Sequence, residues 1–411
     1  MSKTLGIYIH IPFCASKCGY CDFYSHSGCD MLMPRYHNAI IDHIKEAGPQ
    51  LQQYYIDTVY FGGGTPSYYG AKRICEIFNA LKMNGLVYRS AEVTIEVNPD
   101  SITRHELKLL KSEGFNRVSI GAQSANDDIL KLIGRRHNWA QVEQCVRDAR
   151  RAGFRNVSID LIYGLPSQTK SDWADTLRKA IALKVDHISC YGLKLEEGTP
   201  MYAYKGSPFL PDDDEQADMY LYTVETLANN GYKQYEISNF CRRKKYSKHN
   251  LKYWLLRDYM GFGPGAHSNV AGVRYSYVRD LVKYINNVNS GEKLVDEYEK
   301  IGLLDRAAEY IMLGMRTSKG ISQKEYHKIY KCDFEPMEEL LREFEKKGWA
   351  VSAKGRWRFT AAGFLLSNLL IGLMLEKQAE LKRSGNPWTD RAESVVGDAQ
   401  LPEGEEVFYR S

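Results

Sequence analysis

Three cysteines lie within eight positions near the start of the chain, in the stretch HIPFCASKCGYCDFYS (residues 10–25). They are Cys14, Cys18 and Cys21, and they form a CxxxCxxC pattern. Thiolate is a soft ligand that suits zinc, copper(I) or iron–sulfur clusters. A structural zinc site would need a second ligand pair to close its tetrahedron, and no pair follows at a suitable spacing. A CxxC redox pair would leave Cys14 without a role.

A 4Fe-4S cubane fits three thiolates best. Clusters in electron-transfer proteins take four protein ligands, so three ligands leave one iron open. An open coordination position is what a metal uses to bind a substrate. The cysteine count therefore predicts a 4Fe-4S cluster with one iron free for another molecule.

The elements that must position these cysteines form one repeating pattern from residue 4 to about residue 195. Apolar, β-branched runs of strand length alternate with stretches of helical period. The six strand-like runs are LGIYIHI, DTVYFGG, EVTIEVN, RVSIGAQ, NVSIDLIYG and HISCYGLKL. Their nearly continuous hydrophobicity favours a parallel sheet covered by helices. We predict an α/β fold, a partial (β/α)6 barrel with its site at the carboxyl ends of the strands.

Glycine and polar residues recur at these predicted strand ends. The run Gly62-Gly63-Gly64-Thr65-Pro66 follows the second strand. Three consecutive glycines exceed what a tight turn requires, so they let the backbone approach a ligand without interference from Cβ. Other residues at the same rim are Glu96, Asn98, Gln123, Asp160 and Gly164. We therefore expect one site that these strand ends share.

A CxxxCxxC loop after the first strand of a partial barrel resembles the radical S-adenosylmethionine (SAM) superfamily. Tyr8, two residues before His10, and the stretches IPFC, GGGTP, IEVNP, GAQS and DLIYGLP are similar to one branch of it. That branch contains oxygen-independent coproporphyrinogen III oxidases and HemW-type heme chaperones, and the resemblance covers residues 4 to about 380. It implies a cluster whose open iron chelates SAM and whose electron cleaves SAM to methionine and a 5′-deoxyadenosyl radical.

The resemblance also implies which side chains serve the two cofactors. The implied cluster ligands are Cys14, Cys18 and Cys21. The implied SAM-binding residues are Tyr8, Tyr20, Gly63, Gly64, Thr65, Glu96, Gln123, Arg135, Asp160, Gly192 and His267. Arg135 has an alternative as a solvated charge whose neighbour Arg136 takes its place, and the two tyrosines have an alternative as core aromatics. No catalytic residue is assigned.

Two features favour the chaperones over the oxidases. The oxidase pattern has a further cysteine two places beyond the third, and this chain has Phe23 there. The stretch SKHNLKYW contains an HNxxYW pattern that resembles the chaperone signature, and GPGAHS around His267 agrees with it. The resemblance implies heme binding by His249, Tyr253 and Trp254.

The residues of this stretch make physical sense for heme. A porphyrin needs an axial ligand, an aromatic wall and cations near its propionates. His249 has aromatic neighbours in sequence, and five basic residues lie nearby: Arg242, Arg243, Lys244, Lys245 and Lys248. The alternative is a histidine in a solvated basic loop, since charge runs usually cover a wet surface.

We predict a cytoplasmic heme chaperone of radical SAM type, with a 4Fe-4S cluster, SAM and heme as its cofactors. Its implied partners are heme, an electron donor and heme-accepting proteins, with respiratory enzymes near the membrane as one candidate; oligomerisation stays open. One alternative is an oxygen-independent coproporphyrinogen III oxidase that forms protoporphyrinogen IX, although Phe23 argues against it. Further alternatives are a radical SAM methyltransferase that degrades heme, and a binding module with a structural cluster.

Length and composition bound these interpretations. The chain has 411 residues, which is too long for one ordinary core. There are 55 basic and 51 acidic residues, and the net charge of +4 is too small to indicate a nucleic-acid partner. The start lacks the features of a signal peptide, and the apolar stretch FLLSNLLIGLML is too short to span a bilayer. Nine cysteines in a reducing compartment do not indicate a disulfide framework, and most of the other six, Cys332 included, are expected to be structural thiols.

Four segments are predicted along the chain. Residues 1–195 form the partial barrel, and residues 196–300 extend it with a strand-like YEISNF and a basic loop CRRKKYSKHN. Residues 301–383 are helical with a hairpin at WAVSAKGRWRFT, which resembles a winged-helix domain. Residues 384–411 are a tail.

Overall fold

Six parallel strands joined by helices form the first half of the fold, as the sequence pattern predicts. The structure is a computed structural model that describes residues 3–331 and 334–383. Cys332 and the predicted tail lie outside the described residues. The strands are β1 (Thr4–Ile11), β2 (Tyr55–Gly63), β3 (Leu86–Val97), β4 (Arg117–Gln123), β5 (Val157–Tyr163) and β6 (His187–Gly192). The helices among them are α1 (Met33–Glu46), α2 (Gly48–Leu51), α3 (Pro66–Tyr69), α4 (Ala71–Asn84), α5 (Arg104–Ser112), α6 (Asp127–Leu132), α7 (Trp139–Arg151) and α8 (Lys170–Ala182).

The two faces of these strands differ in polarity, because successive residues of a strand point to opposite faces. On β1, Leu5, Ile7 and Ile9 are fully buried in the main hydrophobic core, which also contains apolar side chains of the surrounding helices. Polar residues occupy alternate positions of β2 to β6: Thr58, Tyr60, Glu92, Thr94, Glu96, Arg117, Ser119, Ser158, Asp160, His187 and Ser189. The barrel therefore has an apolar outer face and a polar interior.

Residues 196–300 add strands to both edges of the same sheet. The strands are β7 (Lys233–Glu236), β8 (Asn239–Cys241), β9 (Tyr259–Phe262), β10 (His267–Val270), β11 (Val273–Tyr277) and β12 (Val295–Lys300). The helices are α9 (Asp213–Asn229), α10 (Lys248–Trp254) and α11 (Leu281–Ser290). The sheet has twelve strands in the order β12-β11-β10-β9-β1-β2-β3-β4-β5-β6-β8-β7. β9 runs parallel to β1, and β8 runs antiparallel to β6.

Two predictions for this region need correction. YEISNF is not one strand, because the chain reverses direction within it and β7 pairs with β8 as an antiparallel hairpin. The basic stretch CRRKKYSKHN is not a loop to its end, because Lys248 begins helix α10.

The C-terminal part has its own hydrophobic core. Its elements are α12 (Leu303–Gly314), α13 (Gln323–Tyr330), α14 (Glu335–Lys346), β13 (Ala350–Ala353), β14 (Arg356–Phe359), α15 (Ala361–Leu365) and α16 (Ser367–Arg383). Buried apolar residues from these elements form the second core, with Tyr220 of α9. The predicted hairpin is present, since β13 and β14 pair antiparallel. None of the described helices has the length and apolarity needed to cross a membrane.

Candidate functional site

A cavity of about 450 Å³ opens at the carboxyl ends of the barrel strands. It brings together most of the residues that the sequence indicated: Cys14, Cys18, Tyr20, Cys21, Gly63, Gly64, Thr65, Glu96, Gln123, Arg135, Asp160 and Gly192. Five other predicted residues do not line it: Tyr8, His249, Tyr253, Trp254 and His267. The strand ends therefore share one cavity, although Gly62 and Gly164 of the predicted rim do not line it.

The three cysteines are free thiols that line this cavity together. The backbone N–H of Cys14 donates to the oxygen of His26 at 2.9 Å, and that of Cys21 donates to the oxygen of Cys18 at 3.2 Å. The Thr65 hydroxyl lies 3.4 Å from the Cys14 sulfur as a donor. Within the described residues, no three His, Cys, Asp or Glu side chains are close enough to hold a single metal ion. Three free thiols on one cavity are a soft donor set, which fits an iron–sulfur cluster.

The glycine run ties the second strand to the cysteine loop. The N–H groups of Gly64 and Thr65 donate to the oxygens of Ile11 and Phe13, both at 2.8 Å. A Cβ on Gly64 would lie 2.8 Å from the Phe13 oxygen, which is too close for any other residue type. The sequence explained these glycines by the approach of a ligand, and the structure adds the close approach of this loop.

Glu96 and Asp160 are two of the four carboxyl-bearing residues that line the cavity, and Asp22 and Glu196 are the others. The Tyr60 hydroxyl donates to Oε1 of Glu96 at 2.7 Å, and burial raises the pKa of Glu96 to about 7. Asp160 accepts hydrogen bonds from Ser189 at 2.6 Å and from Ser119 at 3.0 Å, and burial raises its pKa as well. Both carboxyl groups are held by hydroxyl donors and can accept hydrogen bonds from a ligand in the cavity.

Arg135 is fixed beside the cysteine loop. One guanidinium nitrogen donates to Oδ1 of Asn98 at 2.6 Å and to the Gly121 oxygen at 2.7 Å, and another lies 3.6 Å from the Cys18 sulfur. Its Nε is buried without a partner. Arg136 instead pairs with Asp100 at 3.3 Å and does not line the cavity. The geometry therefore favours the first arginine for an anionic group next to the cluster loop.

Gln123 ends β4 with a φ of 63°, in the left-handed region that residues other than glycine seldom adopt. This backbone conformation coincides with a register shift between β4 and β5, and the side chain lines the cavity. Strain of this kind is often found at ligand sites. The strained backbone of Gln123 at the end of β4 thus directs its side chain to the cavity.

Sequence reasoning missed several residues that line the cavity: Tyr60, Arg117, Ser119, Ser189, Tyr191 and Asn250. The period of two along a strand gives a signal for some of them, because Ser119 and Ser189 share strands and inward positions with the polar residues of the rim. Asn250 had no such signal, because it reaches the cavity from α10, a helix outside the six β/α units.

The residues predicted for heme lie elsewhere. His249 is fully buried on α10, and its two ring nitrogens hydrogen-bond to the hydroxyls of Thr58 and Tyr253. The alternative of a solvated histidine is therefore wrong. Trp254 is half-buried at the end of the same helix. His267, which was predicted for SAM, is exposed at the start of β10 and does not line the cavity.

The mouth of the cavity has an exposed aromatic side chain. Phe23, which follows the cysteine loop at the position of the oxidase cysteine, is 69% exposed and lines the cavity with Lys17 and Lys194. Tyr191 lies on the same cavity and is 39% exposed. Apolar rings and ammonium groups thus meet at the opening.

Comparisons with known proteins agree with these features. A model of the radical SAM superfamily matches residues 8–180, and a model of the HemN C-terminal domain matches residues 301–366. The heme chaperone HemW of Lactococcus lactis is 34% identical over 374 residues, which cover 90% of this chain and 96% of that protein. The heme chaperone HemW of Bacillus subtilis is 33% identical, over 90% of this chain and 98% of that protein.

A solved structure shares the fold. Coproporphyrinogen III oxidase (HemN) from Escherichia coli superposes with a TM-score of 0.81 at 23% identity, over 91% of this chain and 90% of that chain. This likeness extends from the barrel into the C-terminal part, and it shows the architecture alone.

Proposed function

The chain belongs to the family of the heme chaperone HemW within the radical SAM superfamily, and we propose that it is itself a heme chaperone. In this proposal it holds a 4Fe-4S cluster and SAM in the barrel cavity, binds heme, and transfers heme to acceptor proteins. One observation carries the proposal for a chain of this family. The three free thiols line the same cavity as Glu96, Asp160 and Arg135.

Cys14, Cys18 and Cys21 would hold the cluster, since all three thiols face the cavity from one loop. When bound, the cluster and SAM supply reductive cleavage of a sulfonium and a carbon radical. The chain's own residues bind and orient the ligand. Arg135 has an unpartnered Nε beside the cysteine loop, which suits the carboxylate of an amino acid.

The two carboxyl groups complete the ligand site. Glu96 has a pKa of about 7, so it is partly ionised near neutral pH and can accept from an ammonium or a ribose hydroxyl. Asp160 keeps acceptor capacity beyond its two serine donors, which suits a diol. SAM has the amine, the carboxylate and the ribose that these groups would recognise, so the residues present fit the cofactor.

The heme proposal rests on family membership and on Phe23. An oxidase of this branch would carry a cysteine there, and an exposed phenyl ring cannot take the place of a thiolate. The assignment of His249, Tyr253 and Trp254 to heme stays a prediction from the sequence. We also propose a cytoplasmic location, since thiolate ligands of a cluster are kept reduced there.

The test that separates the chaperone from the oxidase uses the full-length protein with a reconstituted cluster. The protein is incubated anaerobically with SAM, a reductant and coproporphyrinogen III, and tetrapyrroles are separated by chromatography. We expect no stoichiometric formation of protoporphyrinogen IX. Stoichiometric formation would refute the chaperone proposal and establish the oxidase.

A further inference from the structure

The histidine of the HNxxYW pattern is part of the barrel wall. Nδ1 of His249 lies 2.9 Å from Oγ1 of Thr58, and Nε2 lies 2.8 Å from the Tyr253 hydroxyl. The backbone N–H of His249 donates to Oε1 of Glu92 at 3.1 Å. Both ring nitrogens are therefore engaged, by β2 and by the histidine's own helix, and the contact with Glu92 holds its backbone to β3.

This ring supports the tyrosine that binds Glu96. The rings of His249 and Tyr60 stack with centroids 5.3 Å apart and planes at 27°. Tyr8 stacks on both, at 6.3 Å from Tyr60 and 6.5 Å from His249. Since Tyr60 donates to Glu96 at 2.7 Å, the stack determines where that hydroxyl meets the carboxyl group.

Helix α10 is anchored to the barrel through Lys252. The Lys252 ammonium lies 2.7 Å from Oδ1 of Asp57, and the lysine is only 5% exposed. Its stem packs over Gly6, where a Cβ would come within 2.6 Å of the lysine Cδ. Asn250 of the same helix lines the cavity. Asp57 is 35% exposed and lies on β2, so the pair holds α10 against the barrel beside the candidate SAM site.

We propose that His249 is a positioning residue for the SAM site, which it serves by fixing Tyr60 and through it the carboxyl group of Glu96. The inference rests on the proposed function, because it takes SAM as the occupant of the cavity. It gives the HNxxYW helix a role in the barrel. Ligation of heme iron by His249 would instead require the loss of a ring hydrogen bond and the opening of the stack.

The test is a double-mutant cycle on SAM affinity in the full-length protein with a reconstituted cluster. Isothermal titration with SAM compares the wild type, His249→Asn, Tyr60→Phe and the double variant. We expect each single substitution to weaken SAM binding about tenfold, since a hydrogen bond to a charged group is lost or loosened. Because both act on one contact, the double variant is expected within about twofold of Tyr60→Phe.

A matched control is available in His43. It is also buried, and its Nδ1 lies 2.7 Å from the Tyr284 hydroxyl, but its ring packs against Phe262, Tyr277 and Tyr284 instead of Tyr60. His43→Asn is expected to lower the melting temperature and to leave SAM affinity within about twofold of the wild type. This control separates positioning from a general loss of stability. If His249→Asn does not fold, Tyr253→Phe keeps the ring, removes its Nε2 partner, and is expected to weaken SAM binding about threefold.

Four results would overturn the inference. SAM affinity unchanged in His249→Asn would show that the ring does not act on the site. If the fold-changes in the SAM dissociation constant of the two single substitutions multiply in the double variant, His249 does not act through Tyr60. Loss of the wild-type hemin Soret band in His249→Asn at unchanged SAM affinity would assign this histidine to heme. A wild type that binds no SAM would refute the proposed function together with the inference.

Discussion

SAM binding is expected to strengthen as the pH rises through about 7, because Glu96 must be ionised to pair with an ammonium group. Burial raises the pKa of Glu96 to about 7, the Tyr60 hydroxyl bond opposes that rise, and the Asp160 carboxyl group adds to it. The neutral form dominates below this pKa and cannot attract a cation. Affinity is therefore lost towards acid and retained towards alkaline pH.

The size of the effect follows from the ionised fraction. With a pKa of about 7, roughly one Glu96 in eleven is ionised at pH 6 and roughly ten in eleven at pH 8. The dissociation constant of SAM should therefore be about tenfold larger at pH 6 than at pH 8, which corresponds to ~1.4 kcal/mol of binding free energy.

The assay is equilibrium binding of SAM to the cluster-loaded protein between pH 6 and pH 8, at constant ionic strength. Glu96→Gln is the matched control, because it keeps an acceptor oxygen for Tyr60 and does not titrate. Dividing the dissociation constant of the wild type by that of the variant at each pH removes the contribution of the SAM amine's own titration. Parallel profiles for the wild type and the variant would refute the role given to Glu96.

The remaining predictions concern the cluster, the second carboxyl group and the glycine run. Replacing any one cysteine of the CxxxCxxC pattern with alanine should abolish the cluster's absorption band at roughly 400 nm. A band of full intensity in any of the three variants would contradict three-thiolate ligation. Ser189→Ala removes the 2.6 Å hydrogen bond to Asp160 and should weaken SAM binding about fivefold with the cluster intact; an unchanged dissociation constant counts against this role. Gly64→Ala should lower the free energy of unfolding in denaturant by roughly 1–3 kcal/mol, because its Cβ meets the Phe13 oxygen. Gly372→Ala, which has open space, is the control, and an equal loss there would refute the steric explanation.

Much of the site was predictable because its residues lie at strand ends that local pattern reveals. The cysteines follow a strand, the glycine run and Gln123 end one, and Asp160 lies within β5. Parallel strands bring their carboxyl ends to one edge. Their convergence therefore needed only the order of the six strands. The same reasoning gave the parallel sheet and the C-terminal hairpin.

The wall beneath the site was not predictable in the same way. Thr58 and His249 are 191 positions apart and meet only because α10 returns to the barrel. The pairing of β9 with β1 is equally non-local, and no turn or periodicity encodes it. The sequence pattern predicts that a histidine in a basic run is exposed to solvent, whereas tertiary packing buries His249.

Heme binding as cargo is tested most directly by a hemin titration of the cluster-loaded, full-length protein. We expect a saturable change of the Soret band that reaches a defined stoichiometry. A Soret band that stays that of free hemin at every protein concentration would contradict it.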